Sequence, residues 1–327
     1  MNRIFCRIPV RYFILIILTP VLFLFQGCAE EAHRLSPEIH SADIEQHITW
    51  LADSTMEGRL AGSPEEAKVA NYLADHFKNF GLEPGGDGGT YLQSFVLQGP
   101  MAQAMRQEEI LSRNVIGIIQ GTREPEQFLV IGAHFDGQGK GGIVSMFPDI
   151  DDVIHPGADD NASGTAGILE LAHYFSEYRP HRTLIFIAFS GEEMGLIGSR
   201  YFVKHPVVPL DQIKAMINLD MIGRMEENEL TVLGTGTLDL WEDLLVEANG
   251  DSLQVNHVSS GSGASDHTAF YDKQIPAVHI FTGTHSDYHL PGDTPDKINL
   301  AGTERIVRFV RQVVSRLDTL SAGEFQR

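Results

Sequence analysis

From Asn114 onward, short apolar runs alternate with longer stretches of helical periodicity, and no other feature constrains the fold as tightly. The runs at residues 115–119, 128–132, 183–189, 215–219, 230–233 and 277–281 have the length of strands. Several are apolar on both faces, as strands are when helices cover both sides of their sheet. Residues 164–178, 237–249 and 302–317 supply the helices between them. The expected architecture is α/β: a three-layer α/β/α sandwich about a central mixed, largely parallel sheet. Upstream, residues 43–53 and 64–80 have helical spacing, the second entered through the cap residue Ser63 with Pro64 at the first helical position, and closed by Gly81. Residues 41–113 are therefore read as an N-terminal helical extension. With no repeat and no linker in view, residues 41–327 are expected to form one domain.

The first 28 residues read as a targeting segment. Arg3, Arg7 and Arg11 precede a nearly unbroken apolar core at residues 13–25, too short to span a membrane comfortably. The core runs into Phe25-Gln26-Gly27-Cys28, which resembles the lipobox of bacterial lipoproteins, where the cysteine is acylated and becomes the mature N-terminus. Phe25 and Gln26 depart from the commonest form of that box, and an ordinary cleaved signal peptide or an uncleaved anchor are the alternatives. All three export the chain, so the expected location is the bacterial cell envelope, lipid-anchored on the periplasmic or cell-surface side, with residues 29–40 as a polar tether. Cys6 and Cys28 are the only cysteines, so the exported body has neither disulfide nor thiolate. Any metal must be held by histidine and carboxylate. Forty-four acidic residues against 24 basic ones give a net charge of −20, and the basic residues form no stripe, so nucleic acid is not an expected partner.

Ligands of open α/β sheets gather beyond the carboxyl ends of the strands. The polar clusters of this chain fall there. Ala133-His134-Phe135-Asp136 follows one run, Ser190-Gly191-Glu192-Glu193 another, Asp220 a third, and Tyr288-His289 lies beyond the last, while Gly157-Ala158-Asp159-Asp160-Asn161-Ala162-Ser163-Gly164 opens a helix. Each alone is weak, since a histidine at a strand end is more often hydrogen-bonded structure than a ligand. Together they place two imidazoles and several carboxylates at one edge, where the carboxylates repel one another unless a cation intervenes. Imidazole and carboxylate without thiolate suit zinc, with manganese or cobalt as alternatives, and two ions ~3.5–4 Å apart would form a co-catalytic pair. Asp136, two residues beyond His134, is expected to accept that imidazole's other N–H. Neighbouring glutamates on a strand point oppositely, so Glu192 and Glu193 share a site only if the strand has ended at Gly191.

These motifs, with Met56-Glu57-Gly58-Arg59-Leu60-Ala61-Gly62-Ser63-Pro64 upstream, resemble the di-zinc aminopeptidases typified by secreted bacterial leucine-type enzymes, from about Met56 to the C-terminus. The resemblance implies the zinc-dependent exopeptidase fold (phosphorylase/hydrolase-like) and two zinc ions, with His134 and Asp220 on one, Glu193 and His289 on the other, and an aspartate bridging them. Asp159 and Asp160 both have the chemistry to bridge. In the family the bridging aspartate stands four residues before the glycine that starts the helix, which selects Asp160. Glu192 falls at the general base, which takes a proton from the attacking water and delivers it to the leaving amine. Tyr288 falls at a tyrosine that in some members donates to the tetrahedral oxyanion, an aromatic packed at the rim being the alternative. Gly263-Ala264-Ser265-Asp266-His267 matches a motif near the substrate pocket, so Asp266 and His267 are assigned there. The implied substrates are peptides with a free N-terminus.

Three rivals share the fold: a glutaminyl cyclase-like enzyme with a single zinc, a dipeptide carboxypeptidase, and a non-catalytic binding module. The last predicts missing ligands, whereas all those named are present. Residues 140–156 lengthen the loop between His134 and Asp160, carry several aspartates and His155, and are expected to form a rim over the pocket unless they are a tolerated surface insertion.

Overall fold

The computed structural model describes residues 35–100, 109–142, 145, 149–150, 152–250, 252–321 and 325. The signal segment with Cys28, and the tether as far as residue 34, lie outside the described residues. The described strands are β1 (Glu83–Pro84), β2 (Leu92–Val96), β3 (Leu111–Ile119), β4 (Glu124–His134), β5 (Arg182–Phe189), β6 (Ile213–Leu219), β7 (Glu229–Leu233), β8 (Gln254–Val258) and β9 (Ala277–Phe281). The α-helices are α1 (Ser41–Leu51), α2 (Pro64–Asn79), α3 (Gly164–Glu177), α4 (Ile197–Phe202), α5 (Trp241–Asn249), α6 (His267–Tyr271) and α7 (Leu300–Thr319). No helix among the described residues is long and apolar enough to cross a membrane.

The strands form one sheet in the order β1-β3-β5-β4-β6-β9-β7-β8, with β2 paired to β3. Its centre, β5-β4-β6-β9, is parallel, while β3 joins β5 and β7 joins β9 in antiparallel fashion. The period-2 alternation of a strand sorts side chains to two faces. Leu184, Phe186 and Ala188 of β5 join Leu129, Ile131 and Ala133 of β4 in a core that also takes residues of α1, α2, α3, α5 and α7. Ile185, Ile187 and Phe189 face the other way, with Val130, against Phe202 of α4 and Phe270 of α6. Two covered faces make three layers, as the unbroken apolar runs require. Residues 41–113 are not helical throughout: β1 and β2 lie within them and pair with β3. Helix α2 starts where its cap dictates, Ser63 Oγ accepting the Glu66 N–H at 3.0 Å.

The turn after α1 carries a buried cation. Gly58 sits at φ +72, and a Cβ there would come within 2.3 Å of Gly139 O, so the backbone can enter this crevice only as glycine. Arg59 follows, fully buried, and its guanidinium donates to Leu51 O (2.8 Å), Phe135 O (2.9 Å), Pro156 O (2.6 Å) and Gly157 O (2.9 Å). One planar fork thus ties α1 to the two loops that carry Asp136 and Asp160. Replacing Arg59 by Met strips four carbonyls of their donor and should cost roughly 3 kcal/mol or more of unfolding free energy in urea titration. Arg59→Lys should recover little of it, because an ammonium does not reproduce the fork; near-native stability of either variant would contradict the clamp.

Candidate metal centre

The register of the parallel strands brings their carboxyl ends level: His134 pairs with Phe189, Gly132 with Asn218, and Leu219 with Ile280. His134 ends β4, Asp220 follows β6, and Glu192 and Glu193 stand three and four residues beyond β5. Gly191, at φ +73, turns the chain after the strand, which lets the adjacent glutamates face one site. Asp160 lies in the irregular turn 158–163 ahead of α3, and its peptide bond to Asn161 is cis. His289 comes from the loop after β9.

These residues form two donor sets, His134–Asp160–Asp220 and Asp160–Glu193–His289, and in each the ligand atoms lie within 4.8 Å of one another. Asp160 belongs to both. Its Oδ1 is 3.3 Å from His134 Nε2 and its Oδ2 is 3.0 Å from His289 Nε2. His134 Nε2 is also 3.3 Å from Asp220 Oδ1, and His289 Nε2 is 3.2 Å from Glu193 Oε2. Glu192 stands beside the sets, its Oε2 4.0 Å from His134 Nε2. Asp159, the other candidate bridge, turns away: its Oδ1 accepts from Gly223 N at 2.6 Å and Ser163 Oγ at 3.1 Å, and its Oδ2 lies 3.2 Å from His285 Nε2.

The protonation energetics are those of crowded, buried charge. Burial alone would lower the His134 pKa, but Asp220, Glu192 and Asp160 outweigh it and hold the imidazole well above its ordinary value. The same contest, decided by Asp160 and Glu193, lifts His289 to about 10. Burial works against ionised Asp160, yet its two histidines keep it below the usual carboxylate range. Glu192 is raised well above its ordinary value by burial, with Glu193 and Asp220 adding repulsion, and burial raises Glu193 too, with Asp160 adding. A buried carboxylate group of this density, converging with two imidazole Nε2 atoms, suits zinc.

Asp136, Asp266 and His267 differ from expectation. Asp136 supports His134 through its main-chain oxygen, 3.2 Å from Nδ1, whereas its carboxylate Oδ1 is 3.8 Å away. That oxygen instead accepts the Glu192 N–H at 3.2 Å, because the turn after Gly191 presents this amide to it, and burial pushes the Asp136 carboxyl up to about 8. Tyr288 stacks on His289 with ring centroids 3.8 Å apart and borders the pocket. Asp266 and His267 do not line it: both are fully buried at the start of α6, and Ala264 borders the pocket in their place. In the 140–156 loop, His155 is buried and donates its backbone N–H to Gly139 O at 2.9 Å, lining a small cavity with Asp160 and His289. Residues 143–144, 146–148 and 151, on which the expected rim depends, lie outside the described residues.

Three supporting residues, Asp293, Gln138 and Asn218, carried no signal in the sequence, and a fourth, Ser265, stood in the 263–267 motif without a role of its own. Asp293 Oδ2 accepts the N–H groups of Asp159 (2.9 Å) and Asp160 (3.0 Å), fixing the turn that bears the shared aspartate. Gln138 Nε2 donates to Glu193 Oε2 at 2.5 Å, Ser265 Oγ to Asp220 Oδ2 at 2.7 Å, and Asn218 Nδ2 to Ser265 Oγ at 2.8 Å. Their partners are close in space and far in sequence, so only the fold reveals them.

The profile of Peptidase family M28 matches residues 114–314. Aminopeptidase YwaD of Bacillus subtilis (strain 168) is 30% identical over 202 residues, covering 58% of this chain and 41% of that protein. The probable aminopeptidase YDR415C of Saccharomyces cerevisiae is 28% identical over 225 residues, covering 64% and 58%. The chain thus spans about half the length of these curated relatives. Among solved structures, BSAP, a zinc aminopeptidase from Bacillus subtilis, superimposes with a TM-score of 0.69 at 18% identity over 89% of this chain and 98% of its own. A glutaminyl cyclase from Bacteroides thetaiotaomicron does so with 0.68 at 18% identity over 86% and 99%, so the fold is that of both.

If the two sets hold zinc, metal binds the folded state alone and stabilises it by mass action. Zinc should raise Tm and a chelator lower it, and Asp160→Asn, which weakens both sets, should abolish most of the rise. An unchanged Tm across this series in differential scanning calorimetry would refute the centre.

Proposed function

The chain belongs to Peptidase family M28, and on that premise we propose that it is a zinc aminopeptidase, removing N-terminal residues from peptides with a co-catalytic pair of ions. The observation that carries this reading is the division of Asp160, whose two oxygens face different histidines. An aspartate divided in this way could serve two ions at once. His134, Asp160 and Asp220 would hold one ion, and Asp160, Glu193 and His289 the other. When bound, zinc supplies Lewis acidity at the scissile carbonyl and acidifies water toward neutrality.

The remaining work falls to the chain's own groups. Glu192 belongs to neither donor set and lines the pocket. It accepts a proton from the attacking water and returns it to the leaving amine, and a carboxylate whose proton affinity is raised by burial suits that exchange. Its orientation is fixed through its own N–H, bound to Asp136. Tyr288 lines the pocket, and it would donate to the oxyanion. The surplus of carboxylates attracts the ammonium end of a peptide.

Glu192→Gln should lower kcat on leucine p-nitroanilide by about 10²–10⁴-fold, the usual worth of a general base, while zinc content stays the same. Substantial residual turnover would remove Glu192 from that role. In the same assay a zinc-to-protein ratio near one, with cyclisation of a glutaminyl peptide, would favour the single-zinc cyclase instead.

Export and a lipid at Cys28 complete the proposal, supported by the basic start, apolar core and cysteine of the leader. In a bacterial host, Cys28→Ser should move the protein from the membrane fraction to the soluble one; retention in the membrane would count against the anchor.

A further inference from the structure

Beside the metal-site pocket lies a larger one whose charge has the opposite sign. The first measures 390 Å³ and is walled by Asp160, Glu192, Glu193 and Asp220. The second measures 880 Å³, and its described lining combines apolar Phe95, Met194 and Ile197 with basic Arg200, Lys204 and His205, without an aspartate or glutamate. The two pockets meet at Gly195 and Arg200, which line both. In a protein of net charge −20, such a concentration of basic groups at the edge of a carboxylate-rich site is a reversal of the local field.

Arg200 is exposed on α4, and among the described residues its guanidinium makes no ion pair or hydrogen bond. Its backbone, by contrast, is firmly placed. Ile197 N donates to Gly191 O at 2.9 Å and Asn114 Nδ2 to Gly198 O at 3.0 Å, so α4 is fastened to the same turn that presents Glu192 and Glu193. The point from which this side chain extends is therefore fixed by a short, hydrogen-bonded segment. A peptide whose amine enters the acidic pocket can extend into the adjoining one, which offers apolar surface and an uncommitted guanidinium.

Resting on the aminopeptidase reading, we infer that the second pocket receives the residues after the scissile bond, and that Arg200 recognises a carboxylate on the first of them. The planar guanidinium matches a carboxylate in bidentate fashion. The carboxylate is either the C-terminus of a dipeptide or the side chain of an aspartate or glutamate at that position. Phe95, Met194 and Ile197 cover the apolar part of the same residue.

The test compares kcat/KM of the zinc-loaded protein for Leu-Leu, Leu-Leu-amide, Leu-Glu-amide, Leu-Gln-amide and leucine p-nitroanilide, with Arg200→Gln and Arg200→Lys alongside. The wild type should prefer the substrate bearing the carboxylate by roughly five- to tenfold, as a partly exposed bidentate pair supplies, and the ratio should fall to about one in Arg200→Gln and survive partly in Arg200→Lys. Preference for Leu-Leu over its amide identifies the C-terminus as the source; preference for Leu-Glu-amide over Leu-Gln-amide identifies the side chain. Equal ratios in wild type and Arg200→Gln overturn the inference. Failure to cleave leucine p-nitroanilide would instead sink the aminopeptidase reading. Calorimetric titration of Leu-Leu against Leu-Leu-amide, and of Leu-Glu-amide against Leu-Gln-amide, into Glu192→Gln protein with and without Arg200→Gln then decides the pocket by itself, equal affinities within both pairs overturning it.

Discussion

Four carboxylates held within one pocket at the end of a parallel sheet are the constraint from which the remaining features follow. Left in water they would separate; here the backbone gives them no such freedom, because each is attached within a few residues of a strand end or a helix start. The chain meets the cost with imidazoles and with amide and hydroxyl donors. His134 and His289 divide Asp160 between them, Gln138 reaches Glu193, and Ser265 reaches Asp220. The result is a spread of proton affinities within a small volume, Asp160 held low while Glu192 is driven high.

The sheet's construction explains why so many of these groups arrive together. Parallel neighbours end at the same edge, so residues just past β4, β5 and β6 become neighbours without any local sequence relation. The apolar runs announce those strands because both faces are buried, which removes polar residues from the pattern. The strands that the sequence hid lack this property. β8, Gln-Val-Asn-His-Val, is largely exposed at the sheet margin, and β1 is two residues long. The helices α4 and α6, of six and five residues, are too short for a 3.6-residue period to register. The same shortness hid the turn at α6 that buries Asp266 and His267 instead of offering them to the pocket.

Within the site, legibility stopped at the groups that belong to motifs. His134, Glu192, Glu193, Asp220 and His289 stand beyond elements whose pattern is visible, which placed them at one edge, while the choice of Asp160 over Asp159 and the role of each came from the family resemblance. The atoms that orient them did not. Whether Asp136 supports His134 by its carboxylate or its carbonyl turns on a few tenths of an ångström in a loop, and Arg59 matters because carbonyls from residues 51, 135, 156 and 157 happen to meet around it. Such contacts are properties of the packed chain, not of any window of it.

Asp293 adds a mechanical consequence. It lies four residues after His289 on the same loop, and its carboxylate grips the backbone amides of Asp159 and Asp160. One short stretch of chain therefore acts as a spacer gauge between the shared aspartate and the histidine of the second donor set. Loss of the Asp293 carboxylate would therefore loosen the turn that bears Asp160 without touching any member of the two donor sets.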